Sequence, residues 1–178
     1  VITPTSLGIT GITGTSLTQL IVDRTEGDTD GNANLFKSFG LTPDILSAIS
    51  NQEYTKPYPI QEEAIPAILK KKDVLGIAKT GSGKTAAYVL PLLSLLPDME
   101  SSKNRHIKIL VVVPTRELAV QVSEVFMLFG SSMTTKVKSL AVYGGASINT
   151  QMIALQNVDI LVATPGRLLE LVDSNAVH

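Results

Sequence analysis

Cysteine is absent from the 178 residues, so no disulfide framework and no thiolate zinc site can organise this chain. Long apolar runs are missing as well. None approaches the roughly 18 residues of a membrane-spanning helix, and Val1 to Leu20 lacks the basic start and continuous apolar stretch of a signal peptide. These absences favour a soluble, cytoplasmic protein with no membrane partner. Nor does one sign of charge dominate: 15 Lys and Arg stand against 16 Asp and Glu, a formal net charge of −1. That balance hides an asymmetry, because residues 1–34 hold Arg24 against Asp23, Glu26, Asp28 and Asp30, leaving a mild basic excess downstream. An excess so small neither demands nor excludes nucleic acid, whose binders usually show a strongly basic face. The two histidines, His106 and His178, have no metal-ligand spacing and read as surface residues.

Against these absences, 44% of the residues are apolar, enough for one buried core of ordinary size. Residues 1–34 are rich in Thr and Gly, contain no aromatic residue and echo themselves in Gly8-Ile9-Thr10-Gly11-Ile12-Thr13-Gly14. They read as a disordered leader. The texture changes at Leu35. Thr42-Pro43 can start a helix running through Ser50, and Ile60 to Lys71 carries apolar residues at helical spacing.

Short apolar runs then alternate with helix-length segments. Val74–Ala78, Ile107–Val113, Ser139–Tyr143 and Asp159–Ala163 look like strands; Lys84–Leu96, Arg116–Phe129 and Ser147–Leu155 look like crossover helices. Continuous hydrophobicity, as in Ile109-Leu110-Val111-Val112-Val113, is what a strand covered on both faces shows. The alternation predicts an open, mostly parallel α/β sheet with flanking helices and ligands beyond the carboxyl ends of the strands. The loops after Ala78, Val113, Tyr143 and Ala163 are then expected on one face.

The first of these loops carries the most specific chemistry. Ala78-Lys79-Thr80-Gly81-Ser82-Gly83-Lys84-Thr85 follows an apolar strand and opens a helix, the context that gives a Gly-Lys-Thr match its mechanism. Backbone N–H groups curling round Gly81 and Gly83 form a concavity for phosphate oxygens. Lys84 is placed to reach the β- and γ-phosphates and the Thr85 hydroxyl to ligand Mg²⁺. Ala78 stands where the general pattern has Gly, and a Gly-rich turn with no ligand is the alternative. The helix after the loop reads as core, with a kink or early end near Pro91.

Upstream, Tyr54-Thr55-Lys56-Pro57-Tyr58-Pro59-Ile60-Gln61, with an isolated aromatic at Phe36, resembles the Q motif of the DEAD-box RNA helicases. The resemblance covers essentially residues 35–178 and implies a P-loop NTPase domain of RecA-like fold: a partial helicase ATP-binding domain that ends just short of the Asp-Glu-Ala-Asp strand. It implies that Gln61 reads the adenine edge, Phe36 stacks on the ring and Lys56 lies near the base through its backbone. An amide offers the donor and acceptor that adenine matches. Glu53 and Tyr58 depart from the family pattern, which usually has Gly and Thr or Ser there.

By the same resemblance Pro114-Thr115-Arg116-Glu117-Leu118-Ala119 corresponds to motif Ia, Gly144-Gly145 to the glycine doublet and Thr164-Pro165-Gly166-Arg167 to motif Ib. All three follow expected strands, so helix N-termini and close backbone approach can grip single-stranded RNA through its phosphates, independently of sequence. Singly, each has an ordinary reading as a helix cap, a turn or a surface charge. Tyr143–Met152, with Asn175-Ala176-Val177, further resembles the RhlE-like branch. No carboxylate stands at the carboxyl end of a second apolar strand, where Mg²⁺ and the attacking water would be held. The implied whole is an ATP-dependent RNA helicase using ATP and Mg²⁺ with a second RecA-like domain, and the expectation for this stretch alone is no hydrolysis. Another P-loop enzyme, such as a DNA helicase or kinase, and a nucleotide-gated RNA-clamping scaffold remain the alternatives.

Overall fold

The computed structural model describes residues 17–21, 35–99 and 107–177. In chain order the elements are β1 (Leu17–Ile21), α1 (Leu35–Ser38), α2 (Pro43–Asn51), α3 (Pro59–Leu69), β2 (Asp73–Ile77), α4 (Lys84–Leu95) and a single 3₁₀ turn (Leu96–Asp98). They continue with β3 (Ile109–Val112), α5 (Arg116–Gly130), β4 (Ser139–Val142), α6 (Ile148–Ala154), β5 (Ile160–Ala163) and α7 (Pro165–Asp173). No helix among the described residues is long and apolar enough to cross a membrane.

Every strand pair is parallel, as the strand-helix alternation requires. β3, β5 and β4 form one sheet with β5 central, Ile109 and Ser139 both opposite Ile160 and Val112 and Val142 both opposite Ala163. That register aligns the carboxyl ends of all three strands at one edge. All four residues of β5 are buried, which explains its unbroken apolar run. α5 begins at Arg116 because Thr115, extended at φ −129°, accepts a hydrogen bond from the Leu118 N–H at 3.2 Å, satisfying one of the donors that a helix start leaves unpaired.

Three sequence expectations change. The strand bearing the phosphate loop, β2, does not join the other three; it pairs with β1, Leu17 opposite Asp73 through Ile21 opposite Ile77. The stretch read as a disordered leader thus carries one strand over five residues, and its other residues lie outside those described. Helix α4 continues past Pro91 to Leu95, because the ring's missing N–H removes one bond while burial of Val89, Leu90 and Leu93 at 0% exposure holds both flanks. The principal core joins α2, α3, α4 and α5 with one face of β3 and β5 around Ile45, Ile65, Leu90, Phe126 and Phe129, and a smaller cluster of Val142, Leu155, Leu161, Ala163 and Leu171 lies under α7. Burying side chains of this size contributes about 1.5–3 kcal/mol each.

Helix α2 is tied to the far end of α5 by Asp44, whose Oδ2 accepts from the Thr134 N–H at 2.8 Å and hydroxyl at 2.9 Å. Those bonds, the N–H first, hold the carboxylate below its ordinary value of 3.8. A carboxylate with a lowered folded value adds stability above the unfolded value and loses it as pH falls through the folded one. Urea denaturation of wild type and Asp44→Asn is therefore expected to differ at neutral pH and to converge in acid, once the carboxylate is protonated in both states. Curves that stay equally separated at every pH would contradict this.

Candidate nucleotide and strand-end sites

The phosphate loop runs from the end of β2 into α4. Gly81 and Gly83 both take φ +79°, the left-handed region that side chains with a Cβ rarely adopt. At Gly83 space is also refused: a Cβ there would lie 2.4 Å from Gln61 Nε2 and 2.8 Å from Tyr58 Cδ2. The Gly83 carbonyl accepts from the Gln61 side-chain amide at 3.1 Å and from the Ala87 N–H at 3.1 Å. Gln61 Oε1 in turn accepts from the Tyr58 N–H at 3.0 Å, the Gln61 half of a capping box at the start of α3, with no side-chain cap bond from Tyr58. One fully buried amide thus clamps the Q-like segment to the helix that opens the phosphate loop.

Lys84 leans back over the loop, donating to the carbonyls of Ala78 and of Lys79, the latter at 2.7 Å. Partial burial lowers its pKa. Lys79, Thr80 and Gly81 are exposed, while Ser82 Oγ is buried with no hydrogen-bond partner. An orphaned buried hydroxyl costs about 1–3 kcal/mol, so a loop that leaves one at its centre beside two positive-φ glycines and a twelve-residue helix is built for an acceptor to arrive. Phosphate fits that cradle. Tyr88, one turn along α4 from Thr85, is likewise buried, its hydroxyl close to that of Thr85 but without a well-formed hydrogen bond. Burial pushes its pKa up to about 12, against a smaller opposing effect of the Thr85 hydroxyl.

Phe36 is placed differently from the stacking role the resemblance implied. Its ring is 3% exposed, packs edge-on against Phe39 at 5.9 Å and lines a groove with Leu46, Ile49 and Tyr54. Almost no ring surface is left for a base, because the apolar face of α2 has claimed it. Lys56 is exposed ahead of α3. Tyr58, absent from the expected ligand set, keeps 41% of its surface while lying against Gly83; its departure from the family pattern was the available signal.

At the edge where β3, β4 and β5 end, Pro114, Thr115, Arg116, Gly144, Gly145, Pro165 and Gly166 are exposed and Thr164 is half-buried. Gly145 takes φ +85°, and a Cβ at Gly144, Gly145 or Gly166 would meet nothing within 4 Å, so backbone here is open to close approach. Thr164 caps α7 with an extended backbone and no side-chain bond, its N–H going to Val142 O at 3.0 Å. The register therefore brings all three segments to one edge. Arg167 is the exception: at 6% exposure it points inward, donating to Glu170, to Gln151 and to the Ala146 carbonyl. Gln151 was not foreseen as a site residue. Its side chain is buried among partners from distant positions, which local sequence does not display.

Residues 58–178 match the protein-family model described as DEAD/DEAH box helicase. The chain is 41% identical over 145 residues to the DEAD-box ATP-dependent RNA helicase RhpA of Helicobacter pylori (strain B128), covering 80% of this chain and 28% of RhpA. It is 49% identical over 137 residues to the ATP-dependent RNA helicase DeaD of Escherichia coli (strain K12), covering 76% and 21%. Among solved structures, the RNA helicase Prp28 from Chaetomium thermophilum bound to ADP superposes with a TM-score of 0.70 at 38% identity, over 80% of this chain and 35% of that one. A DEAD box protein from Methanococcus jannaschii gives 0.72 at 35% identity, over 80% and 38%. The chain thus spans less than a third of these curated relatives' length.

Gly83→Ala should lower stability by about 1–3 kcal/mol, from positive φ and from collision with Gln61. In urea titrations the double variant Gly83→Ala, Gln61→Ala should lose less than the sum of the two single changes. Full additivity would show that the two side chains do not share the space.

Proposed function

Because this chain belongs to the DEAD/DEAH box helicase family, we propose that it binds ATP through the phosphate loop and single-stranded RNA through the strand-end loops, as the ATP-binding part of an ATP-dependent RNA helicase. The observation that carries the reading is the phosphate cradle: Gly81 and Gly83 at positive φ, Ser82 Oγ buried without a partner, and Lys84 resting on two loop carbonyls. A lysine in that posture exchanges carbonyl oxygens for phosphate oxygens without crossing the site. Thr85 is the residue that would hold Mg²⁺, whose chemistry is to neutralise charge between the β- and γ-phosphates. The names of RhpA and DeaD, both ATP-dependent RNA helicases, and the ADP bound to Prp28 support the same reading.

Adenine selection falls to Gln61 with Lys56 beside it. Gln61 already spends a donor on Gly83 and an acceptor on Tyr58 and is fully buried, so a base engages its remaining donor and lone pair only once the side chains covering it move aside. Any change at the base is thereby passed to the loop through one side chain. RNA phosphates are met by Arg116, by exposed backbone at Gly144, Gly145, Pro165 and Gly166, and by the first N–H groups of α5 and α7, the Thr115 hydroxyl being spent on its cap. Contacts of that kind position a backbone without reading bases. Within the family, residues 143–152 favour the RhlE-like branch, and a cytoplasmic location is part of the same proposal.

No acidic residue stands at the carboxyl end of β2, β3, β4 or β5. Asp73 starts β2, Asp159 pairs with Lys108 at 3.2 Å and accepts from the Lys138 N–H, and Glu170 pairs with Arg167. With no carboxylate at a strand end, and with a second RecA-like domain proposed for the longer relatives' remaining length, this chain alone is proposed to bind nucleotide without turning it over.

A fluorescent ATP analogue should bind the chain, and Lys84→Ala should weaken that binding roughly ten- to a hundredfold, the loss of one charge-assisted contact. Unlabelled ATP should displace the analogue better than GTP; equal displacement would remove Gln61 from base selection. Phosphate release should stay at background with and without RNA, whereas turnover that disappears in Lys84→Ala would overturn the account of the missing carboxylate.

A further inference from the structure

Three segments proposed to hold RNA come from separate parts of the chain, yet one polar network runs beneath all of them. Arg167, in the first turn of α7, sends Nη2 to the Ala146 carbonyl at 2.9 Å, just after the Gly144-Gly145 doublet, and Nη1 to Gln151 Oε1 at 2.9 Å. Its Nε–H goes to Glu170 Oε2 at 2.7 Å. Gln151, on α6, is 8% exposed. Its Oε1 also accepts from the Tyr143 N–H at 3.3 Å and its Nε2 donates to the Tyr143 carbonyl at 3.1 Å. Both main-chain groups of the residue that follows β4 are thus held by one side-chain amide. The ring of Tyr143 lies 5.3 Å from the Arg116 guanidinium carbon, a cation–π contact that carries the connection to the start of α5.

We infer that Arg167 and Gln151 are positioning residues that fix the spacing of the three strand-end loops, and that Arg167 does not itself hold the RNA backbone. The inference rests on the RNA-binding reading above and specifies how that site is kept in shape. Three acceptors in three directions demand a planar fork; a lysine ammonium, a single point on a flexible stem, cannot serve Ala146, Gln151 and Glu170 together. Buried as it is, the guanidinium would have to abandon paired acceptors to meet a phosphate, stripping Ala146 O of its donor and Gln151 Oε1 of one of its two. Arg116, exposed above Tyr143, carries the charge that reaches out. A glycine doublet is conformationally loose, so without the Ala146 tether its backbone has no fixed height relative to the starts of α5 and α7.

The test measures affinity for a fluorescent oligouridylate over a series of salt concentrations, for wild type, Arg116→Ala, Arg167→Ala, Arg167→Lys, Gln151→Met and the Arg167→Lys, Gln151→Met pair. Amide hydrogen exchange at Tyr143 is followed in each. A phosphate-contacting arginine lowers the logarithmic salt slope by about one when removed, as expected for Arg116. Arg167→Lys should instead lose about tenfold or more in affinity despite retaining its charge, the size expected of a misplaced contact. Its slope should match wild type, Gln151→Met should do the same, and the pair should be no worse than either alone. Tyr143 exchange should speed up in all three. Near-wild-type binding by Arg167→Lys, with a slope reduced by about one in Arg167→Ala, would overturn the inference in favour of direct contact. If wild type binds no oligouridylate at any salt, the RNA reading fails, and the positioning role is judged by exchange alone: unchanged Tyr143 exchange in Arg167→Lys and Gln151→Met sinks it too.

Discussion

Parallel register is the constraint on which the rest of the molecule depends. Parallel strands can be joined only by crossovers, so every strand must point the same way and every carboxyl end must arrive at one edge. Once Ile109 and Ser139 are opposite Ile160, the starts of α5, α6 and α7 have little freedom in where they emerge. Their first N–H groups are unpaired for the ordinary reason that a helix start has no preceding turn. What looks like convergence of three binding segments is a by-product of how the core is covered.

The nucleotide side is organised by different means. β2 is not hydrogen-bonded to β3, so the phosphate loop is oriented by helix packing and by the Gln61 clamp rather than by a continuous sheet. Apolar packing of α3 and α4 tolerates small shifts, but a hydrogen-bonded amide filling the space over Gly83 does not. The molecule thus holds its two candidate sites with two buried glutamine amides, Gln61 and Gln151, each bonded to main chain on both its donor and its acceptor side. An amide suits this work because it satisfies an N–H and a C=O together without introducing a charge.

The parts of this arrangement that were legible in sequence are those set by neighbours three or four residues apart. The helix starts after Thr42 and Thr115 and the parallel strand-helix alternation depend on local geometry and hydrophobic period, and they appear where expected. The parts that were not legible depend on which way a side chain turns once the core closes. Phe36 reads identically as a base platform or a core ring until α2 packs over it. Arg167 reads as a surface cation until residues 146 and 151 supply its acceptors. The pairing of β1 with β2 likewise joins residues more than fifty positions apart, a distance at which period carries no information.

The separation of the two sheets has a colloidal consequence. β2 and β3 each hydrogen-bond to one neighbour among the described residues, and each carries an apolar side chain half in solvent, Ile77 at 45% and Leu110 at 48% exposed. A row of main-chain donors and acceptors beside exposed aliphatic groups is a template for another extended segment. With a net charge of only −1 there is little long-range repulsion to keep copies apart. Edge-to-edge association that grows with concentration is the behaviour such a surface favours.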